Sequence, residues 1–301
     1  RSRSFNPSKP PILTKHKNKK RFERFIEKKR DALLVLPRYD HSLSRSVVDI
    51  INLNNFEIIH SYQHDISEMN KKIKNKKLFP SIKINDSQIR FRYSDPIILE
   101  DGSLIASSVY GPMFKIDFCS KLEWINDEQI FHHSKMQDHE GNIWVGGVKS
   151  PQSKYISLYN LKNYSDDSII KINQNGKILM NKSVTEILIE NKILPKNFAL
   201  TSYLSKEPDP IHLNDIEPAF NDTDYYKKGD LFLSPRNLSS IIHYRPSTNK
   251  VINYIVGPFV QQHDVDIISD KEISIFNNNN SLVDNQYSEI LIYDFESRLF
   301  K

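Results

Sequence analysis

The stretch Asp101-Gly102-Ser103-Leu104-Ile105-Ala106 indicates the fold, because the chain repeats its pattern three more times. A polar turn followed by a short apolar strand recurs at Glu140-Gly141-Asn142-Ile143-Trp144-Val145, at 228–233 and at 270–275. Each copy is followed by a second strand-like segment, at 113–117, 169–173, 240–244 and 289–293. Repeats of about 40–45 residues with about four strands each are typical of β-propeller blades.

These repeats predict an all-β protein of the β-propeller class, with five blades at 32–62, 90–126, 130–184, 211–257 and 263–301. The Asn54-Asn55 pair favours a tight two-residue hairpin, because Asn tolerates positive φ. Helices are predicted at 19–30, 66–77 and 184–191. Since no linker rich in Pro, Gly or Ser divides the chain, we predict one propeller domain over 32–301. A basic tail over 1–31 precedes this domain.

The bulk composition describes a polar globular protein, with 301 residues and a mean hydropathy of −0.53. No apolar run approaches the ~20 residues that span a bilayer. The single cysteine, Cys119, excludes an intrachain disulfide. The net charge of +5 comes from residues 1–30, which carry 12 Lys or Arg and 2 Asp or Glu, while the remainder carries −5. The basic character is therefore a tail rather than a binding face, and we expect no nucleic acid partner.

Three histidines and one arginine stand at the edges of strand-like segments in different repeats. The histidines are His133 in Phe131-His132-His133-Ser134, His212 in Ile211-His212-Leu213-Asn214 and His263 in Gln262-His263-Asp264. The arginine is Arg236 in Ser234-Pro235-Arg236. Residues on separate blades meet only where the blades converge. Imidazoles together with a guanidinium suit a site that handles an anionic group.

Two other interpretations of these residues remain open from the sequence. Three histidines on different blades can hold iron or zinc, although a guanidinium among them would repel a dication and suits a sulfate better. The chain can also be a catalytically inactive propeller that serves as an interaction module. A pure scaffold, however, has no need of buried His and Arg side chains.

The four motifs, in this order, resemble the bacterial arylsulfotransferases. The resemblance rests on Phe131-His132-His133 with Gly141-Asn142-Ile143, on His212-Leu213-Asn214, on Ser234-Pro235-Arg236 and on Gln262-His263-Asp264. It extends over 32–301 with weaker similarity at 34–40 and 97–103. That family has a six-bladed propeller, whereas five blades are evident here. Family members often have an acidic residue where this chain has Ser134.

The resemblance implies a mechanism and a set of roles. A histidine matching His263 takes the sulfuryl group from a phenolic sulfate ester and passes it to a phenol, through a covalent sulfohistidine. The residues matching His133, His212, Asn214 and Arg236 surround the transferred group. His132 either contacts the substrate or packs against His133. No metal, cofactor or nucleotide sulfate donor is implied.

The chemistry agrees with the residue types. A neutral imidazole is nucleophilic near neutral pH, because its ordinary pKa is about 6.5. Attack on sulfur divides one difficult displacement into two steps. Arg236 and the amide of Asn214 can hold the sulfuryl oxygens where charge develops. His133 or His212 can move the phenol proton, a contribution typically of ~10²–10⁴-fold.

The partners that the resemblance implies are a small aryl sulfate donor and a phenol acceptor. It also predicts a periplasmic or other extracytoplasmic location. The chain begins at Arg1 rather than at Met. A membrane anchor upstream of Arg1 is a further expectation, and a homodimer is another.

Overall fold

The structure is a computed structural model that describes residues 31–80, 82, 86–158, 164–193, 209–278 and 287–301. The chain divides into two compact units, Arg1–Glu128 and Gln129–Lys301. The predicted division into a basic tail over 1–31 and one domain over 32–301 stays a prediction. The helix predicted at 19–30 lies outside the described residues. In the described part of the chain, no helix is long and apolar enough to cross a membrane.

The first unit contains two antiparallel meanders and one short helix. Its strands are β1 Leu33–Asp40, β2 Arg45–Asn52, β3 Ile58–Tyr62, β4 Ser94–Ile98, β5 Leu104–Ser107 and β6 Gly111–Ile116. The helix is α1 Ile66–Lys72, whose N-cap Asp65 accepts hydrogen bonds from the backbone N–H groups of Ser67 and Glu68. One buried cluster joins the meanders to this helix, and it includes Tyr62, Met69, Phe91 and Phe114. The long strand β7, Leu122–Gln137, begins in this unit and ends in the next.

The second unit contains three successive antiparallel meanders. The first consists of the end of β7 with β8 Ile143–Val148, β9 Asp167–Ile172 and β10 Ile178–Ser183. The second consists of β11 Leu213–Pro218, β12 Leu231–Pro235, β13 Ser240–Arg245 and β14 Lys250–Val256. The third consists of β15 His263–Ser269, β16 Glu272–Asn277, β17 Glu289–Asp294 and β18 Leu299–Phe300. Helices α2 Lys154–Leu158 and α3 Val184–Glu190 are short additions.

In each of these meanders every strand pairs with its neighbour in sequence, which is the topology of a propeller blade. The predicted all-β fold of the β-propeller class is confirmed. The repeated turn adopts the same left-handed conformation in three places: Gly102, Gly141 and Gly229 have φ of 75°, 79° and 83°. Strands β5, β8 and β12 each begin two residues after that glycine. The repeat therefore marks the second strand of a blade.

Apolar side chains fill the space between successive meanders of the second unit. One cluster joins the first to the second and includes Trp144, Ile169, Leu213 and Leu231. Another joins the second to the third and includes Phe232, Val265, Ile273 and Phe295. A fully buried side chain of this size contributes about 1.5–3 kcal/mol relative to leaving it exposed. This burial holds neighbouring blades together.

Two local predictions need correction. The predicted helix over 66–77 ends at Lys72, because Ile73 is extended. The Asn54-Asn55 pair does not form a two-residue hairpin: β2 ends at Asn52 and β3 begins at Ile58. The residue with positive φ in this turn is Phe56, at 62°. The helix predicted at 184–191 is confirmed as α3.

Candidate active site

The three predicted histidines lie on or beside the first strands of the three blades of the second unit. His133 is within β7, His212 directly precedes β11 and His263 is the first residue of β15. Pairing with the second strand is irregular at each of these places, between 132 and 135, 213 and 215, and 263 and 265. Such bulges bend a strand and redirect its side chains, and they are common beside active sites.

The backbone at these positions adopts an unusual conformation. His133, His212 and Asp264 have φ of 57°, 50° and 51°, in the left-handed region that residues other than glycine rarely adopt. Each such residue costs on the order of 1–3 kcal/mol and persists only where the surrounding structure holds it. Conformations of this kind concentrate at functional sites, so three of them at three aligned bulges point to a site.

The structure brings the three histidines together. The ring centroids of His133 and His212 are 5.0 Å apart, and those of His133 and His263 are 6.4 Å apart. The rings are inclined to one another by 72° and 50°. Three imidazoles from three blades therefore surround one small volume.

Arg236 joins this group from the end of β12. It begins a 3-10 turn, Arg236–Leu238, and its backbone N–H donates to the carbonyl of His212 at 3.0 Å. Its guanidinium donates through Nη1 to Asn237 Oδ1 at 2.8 Å and through Nη2 to Gln261 Oε1 at 2.9 Å. These two hydrogen bonds fix the plane of the guanidinium group beside the loop that carries His263.

The imidazole of His263 is held at one nitrogen. The side-chain amide of Asn278 lies 2.6 Å from His263 Nδ1 and 3.1 Å from the Gln261 carbonyl oxygen. Burial lowers the pKa of His263, the positive charge of Arg236 lowers it further, and a hydrogen bond to the Gln261 backbone opposes both effects. The ring is therefore neutral near neutral pH. When the ring donates to the Gln261 backbone through Nδ1–H, Nε2 carries the lone pair and is the nitrogen left for chemistry.

A carboxylate supports His212. Asp209 Oδ2 lies 2.6 Å from His212 Nδ1, and Asp209 Oδ1 accepts the His212 backbone N–H at 3.0 Å. The Asp209 carbonyl accepts from Asn237 Nδ2 at 2.6 Å, and Asn237 is the partner of Arg236. One polar network thus links His212 to the guanidinium. Sequence reasoning missed Asp209, although it stands three residues before the histidine.

His132 and His133 have different environments. His132 is 1% exposed, and its Nδ1 lies 2.9 Å from Nδ1 of His133. Nε2 of His132 lies 3.7 Å from Oδ1 of Asp167. Burial and the nearby His132, His212 and His263 lower the pKa of His133 to about 3. His133 is therefore the ring of this pair that faces the other histidines, and His132 lies behind it.

Asn214 lies beneath the site, with 4% of its surface exposed. Its Nδ2 donates to the backbone carbonyl of Gln262 at 2.7 Å, while its Oδ1 has no hydrogen-bond partner among the described residues. Gln262 is fully buried, and its Nε2 donates to the Ser240 carbonyl at 2.8 Å. These contacts fix the backbone just before His263.

Two buried carboxyl groups tie neighbouring blades together. Asp167 Oδ2 accepts the Leu213 backbone N–H at 2.6 Å, next to His212. Asp215 Oδ2 accepts the Val265 backbone N–H at 2.8 Å, and its other oxygen accepts from the hydroxyl of Ser134. Burial raises the pKa of Asp215 to about 7. Ser134, which departs from the acidic residue common in the resembling family, is therefore a donor to an acid from the next blade.

The metal interpretation gains no support from the described ranges, where no group of three or more His, Cys, Asp or Glu side chains has an arrangement that could hold a metal ion. The histidine rings instead pack against one another, and the charge that acts most strongly on His263 is the guanidinium of Arg236. A site of imidazoles with one fixed guanidinium binds anions and offers a nitrogen nucleophile.

Comparison with known proteins identifies a family. The arylsulfotransferase (ASST) family profile matches residues 95–301 of this chain. No curated protein matches the chain significantly. Among solved structures, a protein of unknown function from Bacteroides caccae is similar at a TM-score of 0.51 and 11% identity, over 89% of this chain and 70% of that one. This similarity shows a shared fold.

Two further solved structures are similar at lower scores. Virginiamycin B lyase from Staphylococcus aureus has a TM-score of 0.41 and 13% identity, over 69% of this chain and 54% of the lyase. The WD40 repeats of RRP9 have a TM-score of 0.43 and 8% identity, over 70% of this chain and 51% of that one. The chain thus spans about half the length of these two proteins.

Proposed function

The chain belongs to the arylsulfotransferase family, and we propose that it moves a sulfuryl group from an aryl sulfate ester to a phenol through a covalent intermediate on His263. The observation that carries this proposal is the convergence of His133, His212 and His263 on one small volume beside a fixed Arg236. The matched family supplies the reaction class. The geometry supplies a nucleophile and an anion-binding group for that reaction.

The first half of the reaction is attack by His263 Nε2 on the sulfur of the donor. A neutral ring is required, and burial together with the charge of Arg236 keeps the pKa of His263 low enough for that. The nitrogen–sulfur bond forms as the sulfur–oxygen bond to the leaving phenolate breaks. In the second half, the oxygen of the acceptor phenol takes the sulfuryl group, and the bonding pair returns to Nε2.

The sulfuryl oxygens require donors that are already in place. The Arg236 fork is oriented by Asn237 and Gln261 before any substrate arrives, so little reorganisation is needed. His212, with Asp209 against its Nδ1, directs its other nitrogen away from the carboxylate. Asn214 supports the same site from below through the Gln262 carbonyl. His133 or His212 moves the phenol proton.

The alternative of an inactive interaction module is less consistent with this arrangement. Three neighbouring imidazoles, a guanidinium and several left-handed residues carry a folding cost that a scaffold does not need. The metal-dependent alternative is less consistent because the charge of Arg236 acts directly on His263. The assay described next distinguishes both alternatives from the covalent histidine mechanism.

The test uses an aryl sulfate that releases a coloured phenol, with and without an added colourless phenol. Without acceptor, the wild type should give a burst of at most one equivalent and gain the mass of one sulfuryl group. With acceptor, turnover should follow ping-pong kinetics. His263→Ala should abolish both the burst and the turnover, whereas His139→Ala, at an exposed histidine of the same unit, should change neither.

Three results would decide against this proposal. Absence of any release by the wild type favours the inactive module. Loss of activity on chelation, with recovery on addition of a metal ion, favours the metal-dependent enzyme. Full activity of His263→Ala removes the covalent histidine, whatever the reaction.

A further inference from the structure

Behind His133 the structure has two buried groups, His132 and Asp167, that the reaction above does not use directly. Asp167 is 2% exposed and His132 is 1% exposed. Asp167 Oδ1 lies 3.7 Å from His132 Nε2, and His132 Nδ1 lies 2.9 Å from His133 Nδ1. The order is therefore carboxylate, imidazole, imidazole, ending at the histidine that faces the site.

The chemistry of this row determines where each proton lies. A carboxylate near an imidazole nitrogen favours an N–H at that nitrogen rather than a lone pair, so the proton of neutral His132 belongs on Nε2. His132 Nδ1 then carries a lone pair and accepts from His133 Nδ1. The proton of neutral His133 is thereby fixed on Nδ1, and its Nε2 presents a lone pair.

We propose that Asp167 and His132 are positioning residues that hold His133 in the tautomer with an unprotonated Nε2, which makes His133 the base that deprotonates the phenol acceptor. This assignment rests on the proposed function. The proton passes from the phenol to His133 Nε2 as the new oxygen–sulfur bond forms and the His263 nitrogen–sulfur bond breaks. The imidazolium afterwards releases that proton to water, and the row returns to its starting state.

Two observations support His133 over His212 for this step. Burial and its neighbours lower the pKa of His133 to about 3, so the ring is neutral while the site is empty. An anionic sulfuryl group bound nearby then favours the imidazolium at the moment of transfer. His212, by contrast, belongs to the polar network of Asp209, Asn237 and Arg236, which places it with the groups that bind the sulfuryl oxygens.

The tautomer can be measured without substrate. Histidine labelled with ¹⁵N in both ring positions gives distinct NMR shifts for protonated and unprotonated nitrogens, and His133→Asn identifies the His133 signals. The wild type should show a protonated Nδ1 and an unprotonated Nε2. Asp167→Asn should shift this ring toward a mixture of tautomers, while Asp166→Asn should not. Asp166 is the matched control because its partners are Ser183 and Ser153. A wild-type His133 protonated on Nε2 overturns the proposal.

The role as a base is tested with two acceptors of different acidity. A phenol that is ionised at the assay pH needs no base, whereas a weakly acidic phenol does. Asp167→Asn should therefore slow transfer to the weakly acidic phenol by about 10-fold or more, with little change for the ionised one. Asp209→Asn, which removes the partner of His212, should slow both acceptors by similar factors.

The outcomes are separable. If the acceptor dependence appears in Asp209→Asn and not in Asp167→Asn, His212 is the base and the proposal is wrong. If Asp167→Asn slows both acceptors equally, its role is structural only. His132→Leu tests the same row should Asp167→Asn fail to fold, and it should give the same acceptor dependence. If the wild type transfers no sulfuryl group at all, the proposed function fails, while the NMR measurement still decides the tautomer.

Discussion

The buried carboxyl of Asp215 should make the second unit less stable as the pH rises from about 4 to 7. Asp215 is 5% exposed and lies between two blades, where it accepts from the hydroxyl of Ser134 and the backbone N–H of Val265. Burial raises its pKa from 3.8 to about 7, although both hydrogen bonds act in the opposite direction. The folded protein therefore keeps a proton that the unfolded chain loses.

The sign and size of the change in unfolding free energy with pH follow from this difference in proton binding. Between pH 3.8 and about 7 the folded state binds more protons than the unfolded state, so a rise in pH favours unfolding. A change in pKa of this size corresponds to about 4 kcal/mol of unfolding free energy, present in full below pH 3.8 and lost by about pH 7. The low pKa of His133 acts in the opposite direction, and its effect is common to the wild type and the variant.

Asp215→Asn removes the ionisable group, so the difference between variant and wild type isolates it. Urea unfolding should be followed by the fluorescence of Trp144, in a Trp124→Phe background, because the chain has only 2 tryptophans. The unfolding free energy of the variant minus that of the wild type should increase by about 4 kcal/mol from pH 4 to pH 8. Asp222→Asn, at an exposed carboxylate, is the control. A difference that does not change with pH, or changes in favour of the wild type, would refute the reasoning.

Three shorter predictions concern the site. Arg236→Lys keeps the charge and loses the fork, so kcat/KM should fall by about 10²-fold or more while the unfolding midpoint stays within a few degrees of the wild type. Because the pKa of His263 is below its ordinary 6.5, the rate of the burst should stay constant as the pH falls through 6.5 and decrease only in more acidic solution, as a stopped-flow pH series will show. Gly146→Ala places a Cβ 3.1 Å from His132 Cε1, so it should slow turnover and perturb the ring signals of His132 and His133 in the NMR spectrum.

Much of the fold could be predicted from the sequence because its signals are local. A Gly two residues before an apolar strand marks the second strand of the blade at Gly102, Gly141 and Gly229, and the same turn forms each time. A second short apolar segment after each of these turns then locates the third strand. The prediction was wrong where a turn depends on more than residue type. Between β2 and β3 the left-handed residue is Phe56, which pattern reasoning would not select over two adjacent Asn residues.

The residues of the candidate site could be selected because each stands in a distinctive motif, but the residues that contact them could not. Asp167 contacts His132 within its own blade and Leu213 in the next blade, and each contact joins residues that are far apart in the sequence. Asn278 contacts His263 from 15 residues away, at the end of the next strand. Nothing in the local sequence separates these residues from ordinary turn or cap residues. Their function depends on contacts between strands, which a single sequence does not display.

The cost of the site is itself an argument about function. Left-handed residues at His133, His212 and Asp264, an acid at Asp215 with a raised pKa, and buried neutral imidazoles all reduce the stability of the second unit. They lie on or beside three neighbouring first strands, whereas other left-handed residues of the unit, such as Lys192, Asn249 and Arg298, lie in turns. Local violations of folding rules that gather at one place, within an otherwise consistent structure, are the expected mark of a working site. Unfavourable groups scattered over the unit would have supported an inert scaffold instead.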